Sequence, residues 1–160
     1  MKTSIQITTI VLGSILSSCS IAKTTTETIN TVKQKIESKN FNIKMDRAIP
    51  LRMRTVNLTS SYTLKIVGDS AFAHLPYYGV AQSAPYGSSD GGIKFAEPMT
   101  DFNYSKNLKK QNHNITFKVK TGSSNYQVRL EIFENGSTTA NISSYERDAI
   151  TFYGDIQLDK

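Results

Sequence analysis

The residues Leu16-Ser17-Ser18-Cys19 end a short apolar run, and Cys19 is the only cysteine in the chain. The chemistry expected of a thiol in that setting is acylation after cleavage, leaving the cysteine as the mature N-terminus; the alternative is a plain signal peptide whose Cys19 falls near the cut by chance. Lys2 supplies a small positive leader and Ile5 to Leu16 an apolar stretch rich in Ile, Leu, Val and Thr. That stretch is too short to span a bilayer as a folded helix and lacks a stop-transfer flank, so it reads as a secretory signal. A single thiol cannot build a disulfide framework, which fits its use as a lipid attachment point. Each acyl chain contributes about 0.8 kcal/mol per buried methylene, and stable anchoring takes more than one chain.

The second group with chemical potential lies between residues 74 and 92. His74, Tyr77, Tyr78, Tyr86 and Asp90 are set among Pro76, Pro85, Gly79, Gly87, Gly91 and Gly92. Tyrosine rings are amphipathic platforms, and glycine allows close backbone approach. These five residues could line a barrel mouth that accepts a small apolar or glycan-like ligand. They could equally plug that mouth, with the prolines fixing φ and the phenols turned to water. Catalytic groups are sparse. His74 and His113 are far apart and neither has a metal-ligand neighbour at helical or strand spacing, and no nucleophile-elbow pattern occurs. Asp90-Gly91-Gly92 carries a single carboxylate, far from a calcium cage. No catalytic residue, metal or cofactor is therefore assigned, and a non-enzymatic protein is expected.

Elements that could position these residues follow from the apolar period. After a Thr-rich tether, Thr24 and Glu27 have capping-box spacing, and Ile29, Val32 and Ile36 recur at helical spacing up to a C-cap at Asn40. The period then changes to two. Phe41/Ile43/Met45, Leu51/Met53, Tyr62/Leu64/Ile66, Phe72/His74, Ile115/Phe117/Val119, Tyr126/Val128/Leu130/Ile132, Thr138/Ala140/Ile142 and Ile150/Phe152 each alternate with polar residues. Such alternation marks antiparallel strands with one wet face. From Leu75 to Pro98 the alternation fails, and Lys106 to Asn114 reads as an exposed hairpin loop. Asn135-Gly136 signals a type I′ hairpin. The expected fold is mainly β: one antiparallel meander closing into a lipocalin-like barrel, with a short N-terminal amphipathic helix. A two-sheet sandwich is the alternative. The organisation is a signal peptide over 1–18, the lipidated cysteine and tether over 19–26, and the barrel domain over 27–160.

Net charge is +6, and residues 19–67 hold nine Lys/Arg against three Asp/Glu. Attraction to anionic lipid head groups would use that excess. Its interleaving with apolar residues instead points to a solvated helix face and outward strand positions. The charges form no stripe with interleaved aromatics, so no nucleic-acid partner is expected.

Several stretches together resemble the Bacteroidetes lipoprotein family catalogued as domain of unknown function 4251. They are Ala48-Ile49-Pro50, Leu58-Thr59-Ser60-Ser61-Tyr62, Gly68-Asp69-Ser70, Leu75-Pro76-Tyr77-Tyr78-Gly79, Ala84-Pro85-Tyr86-Gly87, Asp90-Gly91-Gly92, Asn135-Gly136 and Tyr153-Gly154-Asp155-Ile156. The resemblance runs from Phe41 to Ile156, with Tyr78 standing where many members have phenylalanine. It implies an extracytoplasmic lipoprotein with a lipocalin-like barrel, and it implies no activity. In that setting the Leu-Ser-Ser-Cys ending is a lipobox. The expected location is the cell envelope, lipid-anchored through Cys19 on the outer membrane and facing the periplasm. Asp69-Ser70-Ala71 matches an O-glycosylation pattern of that group, with Ser70 as acceptor. The functional expectation is a small-ligand-binding module that uses the loop 75–92. The alternative is a structural or assembly partner that binds protein in the envelope.

Overall fold

The computed structural model describes residues 26–80, 91–122 and 124–158. One helix, α1 (Thr26–Glu37), precedes eight strands: β1 (Asn40–Pro50), β2 (Val56–Val67), β3 (Ser70–Leu75), β4 (Ile93–Asn107), β5 (Asn112–Thr121), β6 (Ser124–Phe133), β7 (Ser137–Ser144) and β8 (Ile150–Ile156). Each strand pairs antiparallel with the next, and β8 returns to β1, so the sheet is a closed barrel rather than a sandwich.

Alternation decides which residues fill it. Ile43, Met45, Leu64, Phe117, Leu130 and Phe152 are fully buried and point inward. A barrel of this strand number has an interior just wide enough for side chains to fill. Burying each large apolar side chain contributes about 1.5–3 kcal/mol. On β3 the buried residues are Ala71, Ala73 and Leu75, so Phe72 and His74 face outward. Small residues there leave room for the larger side chains of neighbouring strands.

Closure requires bending, and β1 supplies it. The register slips between Met45 and Arg47 against both β2 and β8. Asp46 and Arg47 are both exposed, and inward pointing resumes at Ala48. A bulge of this kind bends the strand and increases its twist. The seam also depends on Gly154, which lies opposite Met45.

Helix α1 closes one end. Val32 and Ile36 are buried, and Ile29 is only half-buried. Glu27 in the first turn and Lys35 in the last complement the helix dipole. The helix ends at Glu37, and the left-handed residue that closes it is Lys39, not Asn40. Lys39 takes φ 48 and its amide bonds Ile36 O at 3.0 Å, while Asn40 begins β1. The same lysine pairs with Asp69 at 2.7 Å and lies 4.4 Å from the Phe102 ring centroid, which pins the α1–β1 turn to the β2–β3 turn and to β4. The capping-box residue Thr24 lies outside the described residues.

Other departures from the sequence pattern have local causes. Leu51 to Arg54 form no strand but an exposed connection between β1 and β2, with Leu51 66% and Met53 57% exposed. β4 occupies the second part of the segment where alternation fails. Ile93 and Phe95 point inward, but the register shifts between Thr100 and Asn103, with Asp101 at φ 52, and masks the period. The 106–114 stretch is mostly strand, and only 108–111 turn. The Asn135-Gly136 hairpin is present, yet only Gly136 has positive φ (93), and its amide bonds Phe133 O at 2.9 Å. Residues 134–136 thus form a three-residue connection, a turn followed by a glycine bulge, and not a type I′ turn.

His113 is the clearest buried polar group. It is 1% exposed on β5 rather than in a polar loop. Its Nδ1 lies 2.9 Å from the Tyr104 hydroxyl. Burial pushes its pKa down, Lys106 on β4 adds to this, Glu134 and Glu37 oppose it, and Lys33 on α1 adds a smaller lowering. A group whose folded pKa is depressed below the unfolded value is protonated first in the unfolded chain. Its contribution is therefore present above the ordinary histidine pKa and is lost as pH falls from about 6.5 toward the folded value. The urea midpoint should drop between about pH 7.5 and about pH 5, and His113→Gln should flatten that drop. An identical pH profile for the two proteins would refute the assignment.

Candidate functional site

Because the chain is a meander, its connections alternate between the two ends. The end covered by α1 carries the turns at 68–69, 108–111 and 134–136. The other end carries the β1–β2, β3–β4, β5–β6 and β7–β8 connections.

At that second end the loop after β3 is clamped by the β7–β8 connection. Tyr77 shares its hydroxyl between the Val80 and Asp148 carbonyls, each at 3.1 Å. The Asp148 amide bonds Val80 O at 3.3 Å. Arg147 donates from Nη1 to Gly91 O at 2.6 Å and to Gly92 O at 3.3 Å, and its guanidinium stands 5.0 Å from the Tyr77 ring centroid. Arg147 is only 9% exposed. Arg52 completes the cluster with a 3.3 Å ion pair to Asp148. Burial, with Asp148 next in weight, raises the Tyr77 pKa, so the phenol stays protonated and donating.

Of the residues expected at a mouth, the described ones are His74, Tyr77 and Tyr78. Tyr77 is bonded into the clamp, and Tyr78 is half-buried against the core. His74 does not face a mouth: it stands on the outer wall, 5.7 Å from the Tyr62 ring. His74 and Tyr77 do come together, with Tyr62 and Lys94, along a recess of about 300 Å³ on that wall. Tyr86, Asp90 and Cys19 lie outside the described residues. Ser70 is the half-buried first residue of β3. Sequence context does not single out Arg147, since one charge between Glu146 and Asp148 reads as surface.

A larger groove, about 540 Å³, lies on the outer wall of β4 to β7. Lys118, Lys120, Asn125, Gln127 and Ser143 line it, and Tyr145 stands at its edge with 93% of its surface exposed. Lys118 pairs with Asp101 at 2.7 Å, and its pKa is raised by the hydrogen bond to that carboxylate. These side chains come from separate strands, so no sequence spacing announces them. They are brought together by register: Thr100 faces Lys118, Lys118 faces Gln127, and Gln127 faces Ser143. The arrangement offers amides, hydroxyls, amines and one aromatic face, which can bind but has no paired acid and base aimed at a common point. Among the described residues no three His, Cys, Asp or Glu side chains converge as metal ligands would, and no helix is long and apolar enough to cross a membrane.

The crystal structure of a DUF4251 family protein from Bacteroides eggerthii DSM 20697 has the same fold. It superposes with a TM-score of 0.64 at 16% identity, over 81% of this chain and 87% of that one. No curated protein matches the sequence. The profile of the family described as "Domain of unknown function (DUF4251)" matches residues 23–156, which includes α1 and every strand. The chain belongs to the DUF4251 family.

Proposed function

We propose that this protein is a non-enzymatic binding module of the cell envelope. It is anchored through acylated Cys19 on the outer membrane, faces the periplasm, and takes its ligand on the outer wall of the barrel. The observation that carries this reading is the groove of about 540 Å³ beside Tyr145, and it lies on the outer wall because the interior is filled. Phe117, Phe152, Met45 and their neighbours occupy the space that a ligand-holding barrel leaves open. The groove beside Tyr145 is then the leading site, and the recess of His74 and Tyr77 the smaller one.

Native mass spectrometry of the chain recovered from its own envelope tests this directly. A reproducible extra mass is expected that denaturation releases and that Tyr145→Ala removes. If the mass persists in Tyr145→Ala, the site moves to the His74–Tyr77 recess. A bare chain in every preparation would sink the ligand-binding reading. The N-terminal peptide of the same sample should begin at Cys19 and carry acyl mass, and a chain beginning elsewhere would remove the anchor.

A second reading is favoured by one observation. Leu51, Met53 and Val80 are exposed at the end away from α1, beside Arg52 and Arg54. A partner protein in the envelope could dock there. Cross-linking from Met53 that captures one defined partner, together with a bare mass, would select this reading.

A further inference from the structure

The groove on β4 to β7 has features that narrow its ligand to a chemical class, given the binding-module reading on which that class rests. Tyr145 follows β7 and is 93% exposed, so its ring contributes little to packing. A ring in that position, beside a groove lined with amides and hydroxyls, offers a flat apolar face with a polar tip. Asn125 and Gln127 are neighbours on one face of β6, and each amide brings both a donor and an acceptor.

A ligand matched to this set needs an apolar ring face and many hydroxyls of both hydrogen-bonding roles. A pyranose ring has both. Charge narrows the class further. Lys118 is neutralised by Asp101 at 2.7 Å, whereas Lys120 has no carboxylate partner among the described residues and lies opposite Asn125. One uncompensated ammonium on the groove favours a ligand that carries an anion.

We infer that the Tyr145 groove binds a carboxylated saccharide. One sugar ring lies on Tyr145, its hydroxyls meet Asn125 and Gln127, and its carboxylate meets Lys120. The groove opens near the end away from α1, and the tether precedes α1, so the saccharide is approached from the side opposite the anchor. Two sources share this chemistry: the carboxylated glycan of the cell wall and an acidic polysaccharide rich in uronates.

The test is calorimetric titration of the full mature chain in detergent micelles. The probes are soluble cell-wall glycan fragments freed of peptide, whose lactyl carboxylates are exposed, an oligogalacturonate, and the fully methyl-esterified oligogalacturonate. The carboxylated probes should bind, and esterification should weaken binding about tenfold. Tyr145→Ala should also weaken it about tenfold. Lys120→Met should erase the preference for acid over ester while leaving the ester's affinity unchanged. Both side chains are exposed, so urea unfolding of the variants should match the parent. Binding of the cell-wall glycan alone would identify the cell wall as the source, with both substitutions then expected to weaken that probe, and binding of oligogalacturonate alone the acidic polysaccharide. Equal affinity for acid and ester where both bind, or no effect of either substitution on the probe that binds, overturns the inference. Failure of all three probes while a Tyr145-dependent mass persists in the native spectrum rejects the saccharide class and leaves the binding module standing. Loss of both rejects the two together.

Discussion

Gly154→Ala is expected to destabilise the barrel by about 3 kcal/mol or more, the upper end of what overpacking does. A Cβ at this position would fall on the Lys44 carbonyl oxygen and come within 2.8 Å of the Met45 Cα. Both are backbone atoms, so no rotamer change can relieve the clash. The seam between β8 and β1 would have to separate, and that seam is what converts a curled sheet into a closed barrel. The slip at Asp46 brings the two backbones together there, so the bulge and the glycine act as one device. Gly91→Ala serves as the control. Among the described residues nothing lies within 4 Å of its added methyl, and its effect should stay within about 0.5 kcal/mol. Urea unfolding of the two variants decides the matter. A Gly154→Ala protein with the parent's midpoint would mean that the seam does not have this register.

Arg147→Met should produce the second large effect, about 2–3 kcal/mol. Methionine keeps an apolar stem but removes the donor to Gly91 O and Gly92 O and the cation over Tyr77. Tyr77→Phe removes only the hydroxyl shared by Val80 and Asp148, and should cost about 1 kcal/mol. The Arg52–Asp148 pair is mostly exposed on the arginine side and should matter less. A double-mutant cycle of Arg147→Met and Tyr77→Leu isolates the cation–ring contact, with an expected coupling of about 0.5–2 kcal/mol. No coupling would show that Arg147 acts through the glycine carbonyls alone. The same variants separate structure from binding. If Tyr77→Ala lowers stability and leaves the ligand mass in place, the loop after β3 closes the barrel and is not the site.

How far the sequence could be read depended on whether the signal was local. Ile115/Phe117/Val119 on β5 and Tyr126/Val128/Leu130/Ile132 on β6 alternate without interruption, and both strands are present over those residues. β4 was hidden because its bulge at Asp101 breaks the period and its later half is largely exposed. Leu51 and Met53 have the right spacing for a strand but no neighbour to pair with, since β1 ends at Pro50 and β2 begins at Val56. His113 looked like a loop residue because its neighbours Asn112 and Asn114 are polar, yet Asn112 and His113 are both buried. Asn135 is a common residue at positive φ, but the spacing of β6 and β7 leaves three residues between the strands, so only Gly136 takes that conformation.

The candidate site shows the same division. Tyr77 stands out in the sequence because tyrosine between proline and glycine is conspicuous, while one of its two hydroxyl partners, Asp148, lies 71 positions away on the β7–β8 connection. Lys120, Asn125, Gln127 and Tyr145 read individually as ordinary outward residues.

By itself the sequence determined the strand-rich composition, the amphipathic helix, the antiparallel sense and the resemblance to one family. Each of these depends on residues within a few positions of one another, or on a motif that survives as a string. The tertiary structure alone decided that β8 closes on β1, that the interior is filled, and which outward side chains meet. Those outcomes follow from cross-strand register, and a bulge or a turn longer by one residue moves every later pairing to the other face. No local pattern carries that information, so the groove became visible only when four strands were laid side by side.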